Sequence, residues 1–159
     1  MKTSGLSILV LCSVIFGSSV AAQASSCKVP LRNVLVADAD CAYYETAFRM
    51  MATSQVSVHS VCEKGIFHGP GAAVYNSQVL TTLTVHETSC SQMTSLELNP
   101  VLLSKPFCAN LKNAVGMLST QYIGVDPVCS FGSWVGADGS PRTSKIATRM
   151  LPRSSMAQR

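Results

Sequence analysis

Six cysteines spread through the body of the chain constrain its fold more than any other feature, because they follow a segment built for secretion. Lys2 gives a positive start, Leu6 to Val20 form an apolar stretch, and Ala22-Gln23-Ala24 is a small-x-small cleavage site, the three parts a signal peptidase reads. Ser13, Gly17, Ser18 and Ser19 interrupt the stretch, so residues 1–24 are expected to be a removed signal peptide and not an anchor. Cys12 leaves with it, and Cys27, Cys41, Cys62, Cys90, Cys108 and Cys129 remain. In an oxidising compartment an even set of six predicts three disulfides, with 15 possible pairings and nothing in the sequence to choose among them.

Intervals of 13, 20, 27, 17 and 20 residues separate these cysteines, and no Cys-x-x-Cys occurs. That spacing argues against a knottin, a thioredoxin-type redox pair and paired-cysteine zinc fingers. Residues 25–135 read as one domain long enough to bury a core. They carry six basic residues against seven acidic, whereas residues 136–159 carry five against one, with no cysteine or aromatic. This end is expected to be a disordered basic tail. No repeat at a fixed period stands out.

Periodicity supplies the elements. Val29, Leu31, Val34, Leu35 and Val36 suit one strand, with Pro30 marking an edge. Asp38 or Asp40 is positioned to cap a helix with an apolar stripe at Cys41, Tyr44, Phe48 and Met51. Residues 55–62 alternate as a half-buried strand. Ala72 to Tyr75 and Val79 to His86 are expected to pair across a turn at Asn76-Ser77. Thr88 to Pro106 carries enough apolar residues to be packed. Ser104 and Pro106 open a second helix striped by Phe107, Leu111, Ala114, Val115 and Leu118, and residues 128–135 resume strand character. The order predicts an α+β fold with two helices over one face of a mainly antiparallel sheet, and Cys41 and Cys108 stapling the helices to it.

Chemistry is harder to place. His59, His68 and His86 are the candidate bases or ligands, but none stands in a metal-ligand spacing. Glu87, His86, Tyr43, Tyr44, Glu45 and Arg49 are residue types a small ribonuclease would use, although Glu45 and Arg49 also suit an i,i+4 helix pair. His68-Gly69-Pro70-Gly71 reads as a turn, not an anion cradle. No Gly-x-Ser-x-Gly, phosphate-binding loop or His-Glu-x-x-His occurs, so no catalytic residue, cofactor or metal is assigned. Arg142, Lys145, Arg149, Arg153 and Arg159 give the tail a minority reading as a contact for nucleic acid, membrane or an acidic partner.

A signal peptide, one domain, six dispersed cysteines and no catalytic motif together resemble the small secreted cysteine-rich proteins of fungi, the class of candidate plant-pathogen effectors. The element order is similar to that of the killer-toxin-like α/β sandwich. The resemblance implies a non-enzymatic, extracellular protein, with possible passage into host cells, that binds a host protein and suppresses plant defence. The alternatives are a toxin or antimicrobial acting on competing cells or membranes, and a ribonuclease-like hydrolase.

Overall fold

A computed structural model describes residues 25–153, and in it one arrangement of elements occurs twice. The first unit is β1 (Cys27–Pro30), β2 (Val34–Val36), α1 (Asp38–Arg49), β3 (Val56–His68) and β4 (Val74–Val85). The second is β5 (Leu96–Glu97), β6 (Val101–Leu103), α2 (Lys105–Met117), β7 (Ile123–Val135) and β8 (Pro141–Pro152). A shift of 67 residues (108 − 41 and 129 − 62) superimposes the two lists without an insertion. It also aligns Val34-Leu35 with Val101-Leu102, Cys41-Ala42 with Cys108-Ala109, and Val61-Cys62 with Val128-Cys129. Gly65, Ser77 and Thr81 fall on Gly132, Ser144 and Thr148. The expectation that no repeat exists is therefore corrected.

In each unit the last strand is central. Strand β3 runs antiparallel to β4 along one edge, while β1 and β2 share the other edge end to end. β8 is likewise flanked by β7 on one side and by β5 and β6 on the other. The period of two puts Ser77, Val79, Thr81, Leu83 and Val85 on the inner face of β4, and Ser144, Ile146, Thr148 and Met150 on that of β8, as alternating side chains require. The helices cover these faces and are stapled to them by Cys41–Cys62 and Cys108–Cys129, as expected. Cys27–Cys90 closes the start of β1 onto a 3-10 turn in the linker and has no counterpart in the second unit.

Two reciprocal backbone bonds join the units. Arg32 N–H donates to Leu118 O at 3.1 Å and Asn99 N–H to Met51 O at 3.0 Å. The 67-residue shift exchanges one bond for the other, the signature of a two-fold relation inside one chain. Phe48, Met51 and Leu83 share one apolar core with Leu111, Leu118, Ile146 and Met150.

Several expectations change. The fold is α+β and mainly antiparallel, but it has two sheets with one helix each instead of one sheet under both. Residues 136–153, expected in a disordered tail, form a turn and the central strand β8, so the folded domain extends beyond residue 135. Residues 154–159 of that tail and the signal segment 1–24 lie outside the described residues. The first strand breaks at Leu31–Asn33 into β1 and β2. Asn76-Ser77 is mid-strand, since the turn sits at Gly69–Ala73, where Gly69 N–H reaches Ala73 O at 2.8 Å. Gly71 and Ala72 take positive φ there, with Gly139 standing where Ala72 does. Ala37 and not an aspartate is the N-cap of α1. Phe107, expected in the core, is exposed.

The copies differ where one must protect an edge. Glu45 and Arg49 form an ion pair at 2.6 Å and bond to the backbone of β3, Glu45 accepting from Cys62 N–H and Arg49 donating to Ser60 O. They thus cover an edge that would otherwise offer free pairing groups. The second unit has Lys112 and Gly116 in their places, and Pro127 in place of Ser60. Proline removes an edge donor outright. It also removes a hydroxyl: Ser60 Oγ lies 3.0 Å from Thr81 Oγ1, whereas Thr148 Oγ1 is the one buried side-chain polar atom without a partner among the described residues.

Two stability predictions follow from these facts. Thr81→Val, which strands the Ser60 hydroxyl, should cost about 1–3 kcal/mol in urea unfolding, while Thr148→Val should cost nothing or stabilise, because it deletes an unsatisfied group. A chain of residues 25–135 loses the central strand of its second sheet and should show no cooperative urea transition, unlike one of residues 25–159.

Candidate functional site

The two-fold relation creates two clefts, and the copies have diverged in them. Each is walled by one unit's helix and the other unit's short edge strand. The larger, about 270 Å³, lies between Tyr43, Ala47 and Met50 of α1 and Val101–Leu103 of β6, and is closed by Phe107 and Arg142. Its mate, about 190 Å³, lies between Asn110, Ala114 and Met117 of α2 and Val34–Val36 of β2. Ala47 and Ala114 leave room because their small side chains face the opposite strand.

What rims the clefts separates them chemically. Tyr43 has Asn110 as its counterpart, Phe107 has Asp40, and Arg142 has Tyr75. The larger cleft thus exposes Tyr43 (43%), Met50 (54%) and Phe107 (55%) beside a guanidinium. Tyr43 and Phe107 approach to 6.3 Å between ring centroids, and Tyr43 meets Tyr44 edge-on at 5.4 Å, distances at which aromatic pairs attract. Arg142 is held 2.9 Å from Asp138. Asp138 sits below the ordinary carboxylate value, first because the Ser140 hydroxyl and backbone N–H donate to it and then because of the Arg142 charge.

Burial pushes the Tyr43 and Tyr44 phenols up, with the neighbouring Tyr44 charge adding to the effect on Tyr43 and Asp40 to that on Tyr44. Both therefore remain neutral hydroxyl groups well past neutral pH. In the same unit, Asp38 is lowered by hydrogen bonds from Lys64 and then from Ser77, so it stays ionised in its pair with Lys64.

The residues singled out for catalysis do not converge. His86 bonds to Ser57 at 2.7 Å beyond the end of β4. His59 stands opposite Thr82 on the outer face of the sheet, about 13 Å along the strand from the Gln55 position that His86 N–H joins. His68 ends β3 at the distal turn. Glu45 and Arg49 are committed to the β3 edge, and Glu87 lies past the end of β4 in a left-handed conformation. No group of three His, Cys, Asp or Glu side chains among the described residues could hold a metal ion. Of the tail cations, Arg149 pairs with Glu97 at 3.2 Å, Arg153 N–H bonds to Tyr122 O, and Arg142 and Lys145 flank the tip of the β7–β8 hairpin.

The fold and clefts define a disulfide-bonded protein of two ββαββ units, with one cleft rimmed by Tyr43, Phe107 and Arg142 and the other by Tyr44 and two asparagines. No helix of the described residues is long and apolar enough to cross a membrane. No protein-family model matches the chain, and neither a curated protein nor a solved structure matches it.

Sequence reasoning missed the aromatic cleft because Phe107 falls on the helical core period. Only the comparison of residue 107 with its counterpart Asp40 marks it as a surface position.

A raised phenol pKa makes a stability contribution that is full below the unfolded value near 10 and is lost as pH rises through the folded value. Ultraviolet titration should show a phase of tyrosine ionisation above the ordinary phenol range, and Tyr43→Phe with Tyr44→Phe should abolish that late phase.

Proposed function

We propose that the chain is a secreted, effector-like protein that acts without turnover, binding a host protein and suppressing plant defence. The signal-like leader and the three disulfides support an extracellular route. The observation that carries the binding reading is the exposed trio Tyr43, Met50 and Phe107 beside Arg142. Aromatic, methionine and arginine side chains around a pocket are the composition of protein-binding hot spots. The other unit keeps the methionine as Met117 but has Asn110, Asp40 and Tyr75 in place of Tyr43, Phe107 and Arg142, so packing does not demand those three.

Residues already tolerated on one copy provide a test on the other. Tyr43→Asn with Phe107→Asp gives the larger cleft the side chains of its mate and should leave the thermal midpoint within a few degrees. Expressed in plant cells, the native secreted form should suppress triggered cell death and the double variant should not. Equal suppression by both would contradict the assignment to this cleft, and none by the native protein, confirmed intact, would contradict the effector reading.

A further inference from the structure

We propose that the tip of the β7–β8 hairpin docks the protein on an anionic lipid bilayer, with Phe131, Trp134 and Val135 entering the headgroup boundary and Lys105 and Lys145 meeting the lipid charges, while Arg142 stays paired with Asp138. Phe131 is 60% and Val135 73% exposed, and Trp134 is partly exposed beside them. The aromatics lie on opposite faces of the hairpin. Phe131 stands opposite Ser144, whose hydroxyl turns inward to Leu103 O, and receives Lys105 from the helix side at 5.2 Å. Beyond a bulge, Trp134 packs against Gly132 and takes Lys145, on the alternate face of β8, at 5.2 Å.

A hairpin end with an exposed aromatic ring on each face, and with the apex carboxylate of Asp138 neutralised by Arg142, fits a medium that surrounds it. A protein partner covers one side, and a nucleic acid needs free ring faces for its bases to stack on, whereas here each ring already has a face under a lysine. Aromatic rings with ammonium groups alongside match the composition of membrane interfaces, and basic residues there are drawn to anionic lipid.

The other copy shows that the scaffold does not require this chemistry. The positions of Lys105 and Phe131 are those of Asp38 and Lys64, which form an ordinary ion pair at 3.0 Å. Lys145 and Arg142 correspond to Gln78 and Tyr75, and Trp134 to Phe67. The fold thus accepts an acidic and polar version of the same tip, and the cationic aromatic version belongs to the second unit alone. The inference does not rest on the effector reading, and its lipid-contacting residues Phe131, Trp134, Val135, Lys105 and Lys145 are not among those lining the cleft, which the tip adjoins only through Arg142.

Trp134 is the single tryptophan of the chain and reports its own environment. The full secreted form should co-sediment with phosphatidylcholine vesicles containing phosphatidylserine, with a blue shift of tryptophan emission, and both effects should weaken with salt. Pure phosphatidylcholine should bind at least about ten-fold less. The variant Lys105→Asp, Phe131→Lys, Lys145→Gln, which copies the first unit, should keep the thermal midpoint within a few degrees and lose at least about ten-fold in binding to the anionic vesicles, given roughly five-fold per cation. No sedimentation and no blue shift with anionic vesicles would overturn the proposal. So would undiminished binding by the variant, or tryptophan quenching by polyuridylate without any response to lipid, which would assign the tip to single-stranded nucleic acid.

Discussion

The shared core between the two ββαββ units is the constraint on which the rest depends. A unit of about 60 residues buries too small a fraction of its surface to be comfortably stable alone, and here each helix has its own sheet on one side and the other unit's edge strand near by. The bonds from Arg32 to Leu118 and from Asn99 to Met51 fix the relation by satisfying backbone groups where the units meet. Disulfides then hold each helix to its sheet, each closing a separation of 21 residues, worth about 3 kcal/mol in the chain-entropy account.

Symmetry at the core frees the surface to diverge. Cys41, Ala47, Ser77 and Thr81 are repeated as Cys108, Ala114, Ser144 and Thr148, all facing inward. Outside, Asp38, Asp40 and Lys64 become Lys105, Phe107 and Phe131. One end of the molecule therefore carries an ion pair and a further carboxylate where the other carries two aromatic rings and a lysine, although the backbone beneath them is the same. The two copies act as internal controls: what both retain serves packing, and what only one carries must be explained by something outside the fold. Thr148 shows the converse, an inner hydroxyl kept after Pro127 replaced its partner's position.

Much of this was legible in the residues. The two helical stripes, the alternation of β3, the three disulfides and the stapling roles of Cys41 and Cys108 follow from spacing. Strand β8 was hidden because its inner row mixes Ser144 and Thr148 with Ile146 and Met150, while Lys145 and Arg149 fill the outer row, so a charge count reads as a tail what a period-two count reads as a strand. The duplication was hidden because buried positions keep character more than identity, Phe48 facing Val115 and Met51 facing Leu118 across the shift. Its visible trace was the interval of 20 residues that occurs twice among the cysteines, each time opened by Cys-Ala and closed by Val-Cys with a glycine three residues on. The exposed tip and cleft were not legible, since the distinction between a core and a surface aromatic depends on which face the other unit covers.

Native-state hydrogen exchange tests the central claim most directly. If the two units share one core, the inner amides of β4 and β8 and those of Arg32 and Asn99 should belong to one slowly exchanging class that opens only with global unfolding. Rapid exchange throughout residues 141–152, with β4 still protected, would show a single folded unit followed by an unfolded segment and would contradict the account.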